Sequence, residues 1–204
     1  MAFGCVSQQQ FQEEILRIQA FSQQNDSFPW SVRFVPGLQE DGYLCCRRPR
    51  EWNGDISPDR MDSNIEVPEE VGSQKIVDED SAALDIPTSE TCNYEYHIVY
   101  SASYGVPVLY FNACKQDGQL LSLEDIWRNV PQYHQDRLRH EKWTFITQQE
   151  HPLLGRPFFQ VHPCHTSTLM KQVPEKPRNY VVSWLSVVGP VVGIDVPMSY
   201  SEIG

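Results

Sequence analysis

From Ser7 onward, Phe11, Ile15, Ile18 and Phe21 fall near helical spacing with Gln and Glu on the other face, so the pattern predicts an amphipathic helix covering one side of a sheet, ended by Asn25 and Asp26. Trp30, Val32 and Phe34 then alternate with Ser31 and Arg33, and Tyr43 to Cys46 follow Asp41-Gly42. This predicts two strands around a Pro36-Gly37 loop, the start of an antiparallel meander. A strict period of two runs through Tyr94, Tyr96, Ile98 and Tyr100, and after a turn at Ser101 to Gly105 comes the continuous β-branched and aromatic run Val106 to Phe111. The first reads as a strand and the second as a strand covered on both faces or lying beside the first helix, with Pro107 tolerated near its start.

Asp117-Gly118 turns the chain again, and Ser122 with Asp125 forms a capping-box pattern, predicting a helix from about 123 to 139 that kinks or breaks at Pro131. Prolines 152, 157 and 163 supply no backbone N–H, so the stretch from His151 to Thr166 is expected to be an extended surface loop held by Phe158, Phe159 and Val161. Pro177 to Val188 predicts a last helix, packed through Val181, Leu185 and Val188 and stopped by Gly189-Pro190.

Between Glu51 and Cys92 the pattern fades. Twelve Asp and Glu stand there against only Arg60 and Lys75, with prolines 58, 68 and 87 among them. Low hydrophobicity and like charge leave little to offset chain entropy, so 51–92 is expected to be an acidic, mobile surface insert within one domain spanning 1–204. With 40% hydrophobic residues in 204, one sizeable core is the expectation. A formal net charge of −11 argues against sequence-independent nucleic-acid binding, which needs cations along the phosphates. The longest apolar run, Val181 to Ile194, is 14 residues long and broken by Ser183, Ser186 and Pro190; crossing a bilayer takes about 20. The expectation is a protein with no membrane span.

Six cysteines at 5, 45, 46, 92, 114 and 164 form no CxxC pair and follow no signal-like leader, which favours reduced thiols in the cytoplasm. Cys164 stands apart from the others. Pro163 precedes it and His165-Thr166-Ser167-Thr168 follow, a polar setting for an accessible thiol, whereas the strand cysteines read as core and Cys5 as part of a terminal arm. His162 lies two residues before Cys164 and shares its face if the chain is extended there; His165 does not. Zinc on His162, Cys164 and His165 would need a fourth ligand and a more usual spacing, and no phosphate loop appears, so neither a metal nor a cofactor is expected. Glu150-His151-Pro152 reads as a helix-end or surface contact. The tyrosines 94, 96, 100, 104 and 110 read as sheet packing, with the option that one phenol points at the thiol.

Taken in order, Tyr94 to Tyr100, Val106 to Phe111, Asp125-Ile126-Trp127, Ile146 to Pro152, His162-Pro163-Cys164 and Ser183 to Pro190 give the C-terminal half a specific resemblance to the autophagy-related protein ten family, the E2-like conjugating enzymes of autophagy. The N-terminal half matches more loosely, through its helix and Asp41-Gly42-Tyr43. The resemblance implies an α+β, E2-like fold: helices packed on a curved antiparallel sheet, with the reactive cysteine on a long loop after it. It also implies that Cys164 accepts the C-terminal glycine of the ubiquitin-like autophagy-related protein twelve from the E1-like autophagy-related protein seven. The modifier then passes to a lysine of autophagy-related protein five. Whether modifiers of the autophagy-related protein eight family are handled too stays open.

Aminolysis of a thioester needs positioning, loss of the lysine proton and support for the oxyanion, not a strong base. Ubiquitin E2 enzymes carry His-Pro-Asn, but here Leu153 follows His151-Pro152 and Cys164 follows His162-Pro163, which leaves His162 or a strand tyrosine to support the oxyanion. The resemblance further implies that exposed strand edges dock partners by strand addition. Two other classes use the same residues differently: a papain-like cysteine hydrolase, which needs an imidazole pre-oriented on the sulfur, and a non-catalytic E2-like adaptor with an inert thiol.

Overall fold

The computed structural model describes residues 4–52, 90–131, 134, 145–173 and 177–204. The chain opens on α1 (Gln8–Asn25), whose N-cap Ser7 accepts a hydrogen bond from the Gln10 N–H. Strands β1 (Ser31–Val35), β2 (Leu38–Trp52), β3 (Glu90–Ser101) and β4 (Val106–Cys114) follow. Then come α2 (Leu123–Arg128), β5 (Ile146–Glu150), β6 (Pro157–Val161), a 3₁₀ turn over Pro163–His165, α3 (Thr166–Lys171) and α4 (Tyr180–Val188). Two more 3₁₀ turns, Gly189–Val192 and Met198–Glu202, close the described chain. Among the described residues the strands form one antiparallel sheet in the order β1-β2-β3-β4-β6-β5. The fold class is α+β, as expected of an E2-like protein.

Strand alternation divides the sheet into two chemically different faces. On one, Leu44, Tyr96, Ile98, Leu109, Phe111 and Phe159 pack under Phe11, Ile15 and Ile18 of α1 and the apolar side of α4. On the other, Tyr43, Val99, Val108, Tyr110 and Phe158 are covered by Leu153 and Leu154 from the β5–β6 connection. The run Val106 to Phe111 is therefore buried on both faces, as its lack of alternation predicts.

Glu14 departs from the expected polar face of α1. It is 3% exposed, and its Oε2 accepts the Val181 N–H at 2.9 Å in the first turn of α4. A carboxylate at a helix N-terminus satisfies an orphan donor and complements the dipole, so α1 fixes the start of α4. Asn179 is the α4 N-cap, accepting from Val182 N–H at 3.0 Å, which sets the helix start at Tyr180 rather than Pro177. After α4, the Val192 carbonyl accepts from Tyr96 Oη at 2.9 Å and from Arg50 Nη1 at 2.8 Å. Gly193 beside it is left-handed (φ 75°), and its Cα faces the Arg50 guanidinium so closely that an added Cβ would lie 1.8 Å from Cζ.

Several expectations are corrected. The stretch from His151 to Thr166 is not an extended surface loop: 146–161 is a hairpin, followed at once by a 3₁₀ turn and a helix. Its prolines occupy positions where no N–H is needed, Pro157 at the first residue of β6 and Pro163 in the first turn of the 3₁₀ helix. The capping box of α2 is present, and that helix ends at Arg128 with Asn129 as its C-cap, so the break comes before Pro131; of the expected remainder, His134 is helical and 132–133 and 135–139 lie outside the described residues. Of the acidic insert, 53–89 lie outside the described residues, while its ends are paired strand, with Glu51 opposite Thr91 and Trp52 opposite Glu90.

Candidate active site

Cys164 lies in the middle of the 3₁₀ turn, three residues beyond the end of β6. All six cysteines are free thiols, and only Cys5 and Cys164 are exposed. Cys46 and Cys92 are buried and Cys45 and Cys114 half-buried, as their strand positions predict. Burial raises the Cys45 and Cys46 thiols above the ordinary value, which holds them in the unreactive protonated form.

The turn is held at several points. His162 is its N-cap: the imidazole Nδ1 accepts the Cys164 N–H at 3.2 Å, while the His162 backbone N–H donates to the Phe145 carbonyl at 2.9 Å. Pro163 is buried and its carbonyl accepts the Thr166 N–H, joining the turn to α3. The expected sharing of a face by His162 and Cys164 rested on an extended chain. The structure brings the two together differently, with Nδ1 spent on the cysteine's backbone rather than directed at its sulfur. His165 is exposed on the same turn. A papain-like pair would need the imidazole aimed at the sulfur, and His162 does not supply it through that nitrogen.

A further partner comes from the β3–β4 turn. The ring of Tyr104 lies edge-on to that of His162, centroids 6.1 Å apart, and is 46% exposed. Of the five strand tyrosines considered for the thiol, the others are committed elsewhere: Tyr96 to Val192, Tyr100 to the Val6 carbonyl, Tyr110 to Gln160, and Tyr94 to the helix-side core. The available signal was that Tyr104 is an aromatic residue in a turn, where glycine and small polar side chains are the usual occupants.

The N-terminal arm braces the same corner. Val6 N–H donates to the Gly105 carbonyl at 2.9 Å, Tyr180 Oη donates to the Gly4 carbonyl at 2.8 Å, and Gly4 packs so tightly on α3 that an added Cβ would meet the Ser167 carbonyl at 2.3 Å. Cys5 therefore sits against Gly105, near Tyr104.

His151 is far from a surface contact. It is 0% exposed on the face of the sheet opposite α1 and α4, ringed by Tyr43, Tyr110, Phe158 and His97 at centroid separations of 4.9 to 5.6 Å. Its Nδ1 accepts the Leu153 N–H at 3.2 Å, so the ring proton is on Nε2, which donates to His97 Nδ1 at 3.1 Å. His97 Nε2–H then faces Glu95 Oε1 at 3.3 Å, and Arg47 completes the chain. Burial, reinforced by His97, depresses the His151 imidazole to about 4, while chiefly the hydrogen bond from His97 holds the Glu95 carboxyl at about 2. Among the described residues no three His, Cys, Asp or Glu side chains converge in a way that could hold a metal ion, and no helix is long and apolar enough to cross a membrane.

Comparison with known proteins gives the family. The family described as autophagocytosis associated protein, active-site domain, matches residues 10–199. The ubiquitin-like-conjugating enzyme ATG10 of Homo sapiens is 38% identical over 208 residues, covering 97% of this chain and 93% of that protein. Its namesake in Arabidopsis thaliana is 41% identical over 192 residues, covering 85% and 84%. That of Dictyostelium discoideum is 40% identical over 119 residues, about half of each chain. With an E2-like sheet and helices beneath a match of this extent, the chain belongs to the autophagocytosis-associated family, as an E2-like transferase of the ubiquitin-like conjugation system of autophagy.

Proposed function

We propose that the chain carries the ubiquitin-like autophagy-related protein twelve as a glycyl thioester on Cys164, taken from the E1-like autophagy-related protein seven, and delivers it to a lysine of autophagy-related protein five. The observation that carries this reading is the exposed Cys164 thiol on a turn whose backbone is pinned by His162 and Pro163. Loading exchanges one thioester for another: the Cys164 sulfur attacks the glycyl carbonyl, and the E1 sulfur leaves with the proton that Cys164 gives up. In transfer, the neutral lysine amine attacks the same carbon, the carbon–sulfur bond breaks, and the amine's excess proton ends on the departing thiolate or solvent. No oxidant, metal or cofactor enters either step.

His162 acts in this scheme as a positioning residue, since its Nδ1 holds the Cys164 backbone. The Tyr104 ring stands edge-on to that of His162 on an exposed turn, and its hydroxyl is the group we assign to the oxyanion, in the role that the asparagine of His-Pro-Asn plays in ubiquitin E2 enzymes. With ATP, the E1-like enzyme and the modifier, a reductant-sensitive adduct should appear on a non-reducing gel. Cys164→Ser should convert it to a reductant-resistant ester or abolish it, while Cys5→Ser, which removes the other exposed thiol, should leave it intact. A labile adduct that survives in Cys164→Ser would refute the assignment.

A further inference from the structure

Two thiols are exposed in this protein, and the fold sets both at one corner. Cys164 is on the 3₁₀ turn that follows β6, and Cys5 is in the arm that precedes α1. The pairs Tyr110–Gln160 and Phe111–Phe159 fix the register of β4 against β6, and the same register carried on past Val161 sets position 164 level with Val106. Cα atoms of the turn come within 8 Å of those of β4. The arm reaches the same end of β4: Val6 N–H donates to the carbonyl of Gly105, one residue before Val106, and a Cβ added at Gly105 would stand 3.8 Å from Cys5 Sγ. On the other side of Cys5, Gly4 abuts the carbonyl of Ser167, one helical turn beyond Cys164 in α3. Cys5 is therefore bracketed by residues that touch the start of β4 and the start of α3, the two elements between which the Cys164 turn lies.

We propose that Cys5 is a resolving thiol for Cys164: under a hydroperoxide the two form an intramolecular disulfide that blocks Cys164 reversibly. Its consequence for activity rests on the thioester reading, since a sulfur held in a disulfide cannot take the modifier's glycine. One sulfur, as thiolate, attacks a peroxide oxygen, the oxygen–oxygen bond breaks and hydroxide leaves, giving a sulfenic acid. The second thiolate attacks that sulfur and displaces its hydroxide. The two thiol protons and the two hydroxides end as two waters, so both sulfurs are oxidised and one peroxide is reduced. Bridging requires Cα atoms within about 7 Å of each other. The arm completes that approach because isolated hydrogen bonds, from Val6 N–H to Gly105, from Tyr100 Oη to Val6 and from Tyr180 Oη to Gly4, hold it there instead of a strand ladder. The bridge also protects, because a sulfenic acid with no thiol partner goes on under excess peroxide to sulfinic acid, which thiols do not reduce.

The test treats the reduced chain with excess hydrogen peroxide, alkylates the remaining thiols and maps peptides by mass without reduction. The expected product is a peptide pair joined through Cys5 and Cys164 in protein that stays monomeric, formed at a rate independent of protein concentration and released by dithiothreitol. Loading from the E1 thioester is then measured after the peroxide is removed and dithiothreitol has been added and taken away. Wild type should regain its full loading. Cys5→Ser, which loads like wild type before peroxide, should keep a lasting loss, with Cys164 recovered as sulfinic acid, and Cys5→Ala should behave in the same way.

Sulfinic acid at Cys164 in wild type to the same extent as in Cys5→Ser overturns the proposal, as does a bridge that joins two molecules or pairs either thiol with a different cysteine. The mapping needs neither E1 nor modifier, so the two readings fail separately. A missing bridge in protein that loads normally removes the resolving role alone, whereas a bridge in protein that never loads removes the thioester reading and leaves the disulfide standing.

Discussion

Acid should weaken this fold through one imidazole before any carboxylate takes part. His151 has both ring nitrogens engaged: Nδ1 accepts from Leu153 N–H and Nε2–H donates to His97. A second proton has no position to occupy except Nδ1, where it would face the Leu153 N–H head-on in a ring of aromatic side chains. The folded protein therefore resists protonation down to about 4, whereas the unfolded chain accepts the proton near the ordinary value of 6.5. The sign follows from linkage: above about pH 6.5 neither state is protonated and the site has no pH-dependent effect, and below it the unfolded state gains a proton that the folded state refuses.

Between pH 7 and pH 5 the expected loss is about 2 kcal/mol, approaching 3 near pH 4. Glu95 does not act in that window. Its folded carboxyl is depressed, so its stabilisation is complete above about 4.5 and is lost only as the pH falls toward 2. Urea unfolding followed by circular dichroism at pH 7, 6 and 5 measures the slope. His151→Phe, which keeps a ring among Tyr43, Tyr110 and Phe158, should be less stable at pH 7 but lose about 2 kcal/mol less over the same interval. Equal slopes for the two proteins would refute the reasoning, as would a His151 ring resonance that titrates near 6.5 in the folded protein. The resonance test holds even if the variant does not fold.

Other substitutions probe the supports of the site. Glu14→Ala should strand the Val181 N–H and cost about 1 to 3 kcal/mol in denaturant unfolding, with Glu14→Gln losing less because an acceptor remains. Gly193→Ala should cost roughly 1 to 2 kcal/mol for the left-handed backbone alone, and should also push the Arg50 guanidinium off the Val192 carbonyl. Tyr104→Phe should slow single-turnover transfer by roughly tenfold or more while leaving the unfolding midpoint unchanged, because the hydroxyl is on an exposed turn. An unchanged transfer rate would remove Tyr104 from the oxyanion role.

Local chemistry made much of the architecture readable. Alternation from Tyr94 to Tyr100 marked β3 and separated its two faces, Ser122 and Asp125 marked the start of α2, and the polar flank of Cys164 marked an accessible thiol. Where the reading failed, the deciding partner was remote. Glu14 looks like a solvated helix residue until Val181, 167 positions away, needs an acceptor. His151 looks like a surface residue until His97, 54 positions away, meets it inside the sheet. Prolines 157 and 163 misled differently. A missing N–H signals a loop only when that donor was needed, and at the first position of a strand or the first turn of a helix it was not. Tyr104 reached the candidate site by a turn whose direction no periodicity encodes.

The unequal cover of the two sheet faces sets the order in which the molecule opens. Helices seal one side through many long-range contacts, but among the described residues the other is stoppered by one reversal, 151–156, tied through the His151 N–H to Arg156 and through the Leu154 and Gly155 amides to the His151 carbonyl. Sub-global fluctuations follow the least costly route, so solvent deuterium should reach the Leu153 to Gly155 amides long before those of β3 and β4. The paired imidazoles then become wet while the scaffold under Cys164 remains closed.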